Sequence, residues 1–151
     1  MSALLQQVHA GATLAGRPRH MTLPRVLALS GGPLDKPGWP DRNLHTDQAA
    51  AAAAGLDGLV VSGTQWEGHL AGFLVEVFGL AWFEGGEFNV KIPRSVRLGD
   101  TLRPMLRCES MQLGPEGTRY ELAVWCENGA GEPVLAGTAS CTVPAAAKGA
   151  A

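Results

Sequence analysis

What is scarce in this sequence bounds what it can be. Twelve Lys and Arg stand against fourteen Asp and Glu, a formal net charge of −2. The strongly basic face that nucleic acid demands of a main partner is therefore not expected. No apolar run approaches the roughly 18 residues of a membrane span. The opening MSALLQQVHAG has neither the charged n-region nor the h-region of a secretory signal. Cysteine is limited to Cys108, Cys126 and Cys141, an odd number, each inside a strand-like run. They read as small buried residues of a reducing compartment rather than as a disulfide framework. His9, His20, His45 and His69 are dispersed and no Cys pair has ligand spacing, so no metal is expected. The chain has no internal repeat of useful length. A cytoplasmic protein, with neither nucleic acid nor membrane as partner, is the simplest expectation.

What is present is globular. Hydrophobic residues make up 46% of 151 positions and charged residues 17%, too apolar for disorder. That length fits one domain, large enough to bury roughly two-thirds of its unfolded surface. The domain is expected over residues 1–143, with a small-residue, flexible tail over 144–151.

Local patterns supply the elements. Val8 to Leu14 reads as an edge strand, and Pro24 to Leu29 as a short helix with proline in its first turn. Three prolines and three glycines between Gly31 and Pro40 make a loop long enough to suspect of function. Thr46 is the expected N-cap of an alanine helix, Ala49 to Ala54, that Gly55 ends. From Thr64 to Leu80, Trp66, Leu70, Phe73, Leu74, Val77 and Phe78 recur at helical spacing. The other flank carries Gly68, Ala71, Gly72, Val75 and Gly79, which predicts a helix closely enclosed by a sheet. Beyond it the period becomes that of strands: Phe88 to Ile92, Thr101 to Met111, Tyr120 to Cys126 and Val134 to Val143. Short glycine-rich turns join the last three into an antiparallel meander. The fold class is α+β: one long helix in an antiparallel sheet of about five strands.

The densest group of proton-handling side chains is Asp41-Arg42-Asn43-Leu44-His45-Thr46-Asp47. It is followed by Val60-Val61-Ser62-Gly63, with glycine at the start of the long helix. Acid and base groups beside a helix N-terminus fit a site that moves protons next to a polarised carbonyl.

Three segments carry a family resemblance. Asn43-Leu44-His45-Thr46-Asp47 with its alanine helix resembles the end of the D-x-N-P-x-H-x-D segment of the MaoC-like dehydratases, which include R-specific enoyl-thioester hydratases. Val60-Val61-Ser62-Gly63 resembles that family's entry to its central helix, with Ser62 where His is usual. Phe88 to Leu102, with Ile92-Pro93, Val96 and Leu98-Gly99-Asp100-Thr101-Leu102, resembles the F-x-x-P-V-x-x-G-D-T-L strand pair. The similarity spans about residues 24–143. It implies a hotdog fold, in which a sheet wraps a central helix, and a hydro-lyase acting on a 2-enoyl or 3-hydroxyacyl thioester of coenzyme A or a carrier protein, with no further cofactor. It also implies a homodimer, or a heteromer with another hotdog subunit. The family's acid falls on Pro40; Asp41, one residue closer, and Asp35, beyond the loop, are the alternatives.

Hydration requires a base at the water that attacks C3, an acid at C2, and donors where charge grows on the thioester oxygen. The roles implied are Asp41 as water activator, His45 as proton donor, Asn43 as orienting group and the Gly63 amide as oxyanion donor. Ser62, Thr64, Trp66 and Trp39 are the expected substrate contacts, although the two tryptophans equally suit the core. Lys91, Arg94 and Arg97 belong to a cationic stripe that either meets coenzyme A phosphates or is the solvated side of the sheet. His69 reads as a packed or interface histidine. A non-catalytic subunit of a heteromeric hydratase and an acyl thioesterase are the alternatives on the same scaffold.

Overall fold

A computed structural model describes residues 2–145. A short 3₁₀ turn, Leu5–Gln7, leads into strand β1 (Thr13–Ala15) and the two-residue β2 (Arg19–His20). Helices α1 (Leu23–Ser30) and α2 (Gln48–Ala53) flank the long proline-rich loop, and α3 (Gly63–Phe78) and α4 (Leu80–Gly85) follow. Strands β3 (Glu87–Lys91), β4 (Thr101–Gly114), β5 (Gly117–Glu127) and β6 (Pro133–Pro144) complete the chain. The sheet has six strands in the order β1-β4-β5-β6-β3, with β2 also paired to β4. The extra strand over the expected five is β2, whose Arg19 and His20 pair with Leu102 and Thr101. The edge strand foreseen over Val8 to Leu14 is displaced to Thr13–Ala15, because Leu5 and Val8 are spent on the buried 3₁₀ turn before it. The tail expected beyond Val143 begins within β6, and from residue 146 it lies outside the described residues.

Alternation makes the sheet one-sided. On β4, Leu102, Leu106 and Cys108 are buried; on β5, Tyr120, Leu122, Val124 and Cys126; on β6, Leu135, Ala139 and Cys141. That face closes on Trp66, Leu70, Phe73, Leu74, Val77 and Phe78 of α3 to form a single core. At roughly 25 cal/mol per Å² of apolar surface, each such side chain contributes about 1.5–3 kcal/mol on burial.

Two helix boundaries differ from expectation. The long helix ends at Phe78 because Gly79 takes φ 62°, and the chain restarts as α4, burying Ala81 and Trp82. The N-cap of α2 is Asp47, not Thr46: its carboxylate accepts the Ala50 N–H at 2.9 Å. The Thr46 hydroxyl is engaged elsewhere, donating to the Asp41 carbonyl at 2.5 Å and accepting the Asn43 N–H at 3.0 Å.

The expected reason for the glycines of α3 also fails. A β-carbon on Gly68 or Gly72 would meet nothing within 4 Å, so this flank is open rather than pressed against the sheet. Close approach is instead demanded at Gly16, where a β-carbon would stand 2.7 Å from Pro104 and 2.8 Å from Phe73. Among the described residues no helix is long and apolar enough to cross a membrane.

Candidate active site

The segment between α1 and α2 is fastened from within. The Asp41 N–H donates to the Gly31 carbonyl at 2.7 Å, and the Trp39 indole donates to the Gly32 carbonyl at 3.2 Å. Asn43 ties the far end: its Nδ2 donates to the Ser30 carbonyl at 2.8 Å and its Oδ1 accepts the His45 N–H at 2.9 Å. Asn43 therefore holds the histidine's backbone against the end of α1, which is an orienting position. Trp39 closes the loop on itself.

His45 is half-buried, and its Nδ1 lies 2.8 Å from the carbonyl oxygen of Val60. A carbonyl only accepts, so Nδ1 carries the hydrogen; in the neutral ring Nε2 is then left with its lone pair. Val60 is itself fixed, by an antiparallel bridge to Arg97, and the adjoining Val61 N–H donates to Val96 at 2.8 Å. Three residues after Val60, α3 begins at Gly63. The imidazole is thus anchored to the segment that leads into the helix N-terminus.

At that terminus Ser62 is the N-cap, but its hydroxyl does not cap; it pairs with the Thr64 hydroxyl at 2.9 Å. In the first turn the Gln65 N–H donates to the Ser62 carbonyl at 3.0 Å, while the amides of Gly63 and Thr64 have no intrahelical acceptor. A β-carbon on Gly63 would stand 2.5 Å from Ile92 Cδ1 and 3.6 Å from Trp66 Nε1. The end of the Ile92 side chain, 42% exposed, lies against this glycine. Trp66 is fully buried, and its Nε1 is a buried donor with no partner among the described residues. An orphaned buried N–H costs about 1–3 kcal/mol, and this one stands 3.6 Å from where a Gly63 β-carbon would be, at the start of α3.

Asp41 is not brought onto the imidazole. Its carboxylate pairs with Lys36 Nζ at 2.6 Å and its second oxygen stands where a β-carbon on Gly32 would be. The side chain is 42% exposed. Asp35 is exposed in the loop. Asp47 is committed to its cap and to Arg42, and the Ala50 N–H, with Arg42, holds its carboxyl below the usual value. The predicted phosphate stripe is largely engaged: Arg94 pairs with Glu132 at 3.6 Å, and Arg97 with Asp57. Lys91 is exposed on β3. Among the described residues no three His, Cys, Asp or Glu side chains gather as metal ligands.

Three participants went unforeseen. The Val60 carbonyl and the unpartnered Trp66 N–H leave no trace in residue type, since one is backbone and the other depends on what fails to lie nearby. Lys36 had a signal, a lone cation within the loop five residues before Asp41.

No family sequence model matches the chain, and no curated protein sequence does. Solved structures do. A MaoC-like dehydratase from Rhodospirillum rubrum superposes with a TM-score of 0.72 at 21% identity, covering 94% of this chain and 97% of that one. The R-hydratase PhaJ1 from Pseudomonas aeruginosa gives 0.68 at 20% identity, over 94% and 86% of the two chains. A chain of the HadBC (3R-hydroxyacyl-ACP dehydratase) complex from Mycobacterium tuberculosis gives 0.61 at 18%, over 87% and 95%. The chain therefore has the hotdog fold that these MaoC-like dehydratases and hydratases share, as the three local motifs imply.

Proposed function

We propose that this chain is a hydro-lyase for 2-enoyl or 3-hydroxyacyl thioesters, of the MaoC-like type. The observation that carries the reading is the anchoring of His45 to Val60, immediately ahead of a helix N-terminus with an unpaired indole N–H beside it. With Nδ1 committed, neutral His45 is a base at Nε2, so it takes the proton of the water whose oxygen adds to C3. The electron pair of the C2–C3 double bond moves onto the thioester oxygen as an enolate, held by the Gly63 N–H and Trp66 Nε1–H. The imidazolium then returns its proton to C2, which makes His45 the donor of the second step and leaves the enzyme unchanged. Asn43 keeps the ring's backbone in place. Asp41, once released from Lys36, orients the water. Ile92 at Gly63, with Ser62, Thr64 and Trp39, borders the thioester.

A second hotdog subunit completes the site in this reading. Of the two edges of the sheet, β1 and β3, the second follows a helix that exposes Leu80 at 77% and Phe83 at 73%. A second copy pairing there is the expected assembly. The Lys36–Asp41 pair favours one other reading, a subunit whose partner in a heteromer supplies the missing acid; the HadBC structure is of a 3R-hydroxyacyl-ACP dehydratase complex. Purified alone, the chain is expected to bleach the enoyl absorbance of crotonyl-CoA. No turnover alone, with turnover restored by a co-purifying hotdog chain, would replace the first reading by the second.

A further inference from the structure

The open flank of α3 faces a concentration of positive charge that neither the fold nor the proposed chemistry uses. Gly16 lets the chain cross Pro104 and Phe73 closely, and the next residues, Arg17, Pro18, Arg19 and His20, run along the glycine side of the helix. Arg17 and Arg19, with Gly68, His69, Gly72 and Glu76 among their neighbours, line a recess of about 60 Å³. The same two arginines continue into a shallower groove of about 320 Å³, bordered by His20, Thr22 and Arg25.

Most of the other described cations are occupied. Lys36, Arg42, Arg94, Arg97, Arg107 and Arg119 each hold a carboxylate. Among the described residues Arg17, Arg19 and Arg25 hold none; Lys91 and Arg103 share that state but line neither recess. Three free guanidinia therefore face a single carboxylate, Glu76. His69 adds an independent sign. Its Nε2 is buried with no hydrogen-bond partner among the described residues, in the wall of the recess. Burial, then the charges of Arg19 and Arg25, hold its ring below the usual histidine range, so it is neutral in the empty groove.

We propose that this groove binds the phosphates of a coenzyme A thioester, with Arg17, Arg19 and Arg25 as anion ligands and His69 donating from the recess wall. The proposal rests on the thioester reading above. Guanidinium pairs suit phosphate oxygens because their donors are planar and forked. The site is concave and small, which fits phosphate groups better than the broad acidic surface of a carrier protein. Its position fits as well. His69 and Gly72 lie six and nine residues beyond Gly63, roughly 9 and 13–14 Å along the helix axis, a separation that an extended pantetheine arm covers.

The test titrates adenosine 3′,5′-bisphosphate, the phosphorylated end of coenzyme A without its thioester, into the full chain. Binding is expected, weakening about tenfold with each of Arg17→Gln and Arg19→Gln and falling with added salt. Arg119→Gln, whose partners are Glu121 and Ser140, is expected to leave it unchanged. All these residues are exposed, and thermal unfolding checks that each variant folds. In turnover, the same two variants are expected to raise KM for crotonyl-CoA while leaving the crotonyl thioester of N-acetylcysteamine, which lacks phosphate, unaffected. No binding of the bisphosphate overturns the proposal, as does binding lost in Arg94→Gln but kept in the Arg17 and Arg19 variants. Capture of an acidic carrier protein through Arg17 and Arg19 without bisphosphate binding overturns it in favour of a protein ligand. Bisphosphate binding without hydration of either thioester would leave the groove standing and remove the hydratase; hydration without it does the reverse.

Discussion

His45 hangs by its Nδ1 from the main-chain oxygen of Val60, 2.8 Å away. That one bond does three things. It fixes the tautomer, leaves Nε2 as the nitrogen with the lone pair, and ties the ring to the segment that leads into α3. A loop histidine is thereby held in a defined direction without a carboxylate partner, while Asp41 faces Lys36.

The indole of Trp66 carries the next prediction. Trp66→Phe removes the unpaired N–H while keeping an aromatic ring in the core. Turnover of crotonyl-CoA is expected to fall about 100- to 1,000-fold through kcat, the usual cost of losing one oxyanion donor. The protein stays folded, because the lost donor had no intramolecular partner to orphan. Steady-state kinetics and a thermal melt on the same preparation measure both. Unchanged kcat would return Trp66 to a packing role.

Gly137 holds the edge of the sheet. A β-carbon there would run into the Asn89 carbonyl across the β3–β6 pairing. Gly137→Ala is expected to push β3 away and cost about 1–3 kcal/mol. For a chain of this length each kcal/mol lowers Tm by roughly 2–4 °C. If β3 forms the subunit contact, sedimentation will show a weakened dimer as well.

The three thiols give a chemical probe of the core. Burial pushes Cys126 up to about 12 and Cys141 up to about 11, and raises Cys108 as well. Since the thiolate is the nucleophile, the native protein is expected to resist iodoacetamide at pH 8 and to take up three equivalents in urea. Fast labelling of the native state would contradict the burial described.

Asp47 sets a pH dependence. Its carboxyl, held by the Ala50 N–H and by Arg42, titrates below the ordinary 3.8, so the native state binds fewer protons than the unfolded chain. The stability this adds is present above 3.8 and disappears as pH falls through the lower native value. Asp47→Ala is therefore expected to be less stable than the parent at pH 6, with the two converging in melts taken in strong acid.

Much of this was readable in the residues. Period fixed the burial of Trp66, Leu70, Phe73 and Val77, and alternation with short turns gave β4, β5 and β6. The hotdog fold followed from three motifs. What escaped depends on partners rather than residue types. Thr46 and Asp47 are equally good N-caps in isolation; the choice is made by the Asp41 carbonyl, which takes the threonine hydroxyl. Gly68 and Gly72 looked like packing glycines because a sequence does not record that their flank is open. Arg17 and Arg19 drew no attention for the same reason: pairing, not charge, distinguishes them from Arg94 and Arg97.

The most direct measurement follows the enoyl absorbance of crotonyl-CoA with the parent protein and with His45→Gln. Glutamine can still donate an amide N–H towards Val60 but carries no titratable nitrogen. Hydration by the parent is expected, with a loss of about 100- to 10,000-fold in the variant, the range of general acid–base catalysis, and both proteins folded. Equal rates in the two would show that the proton travels by another route and would remove the anchored imidazole from the mechanism.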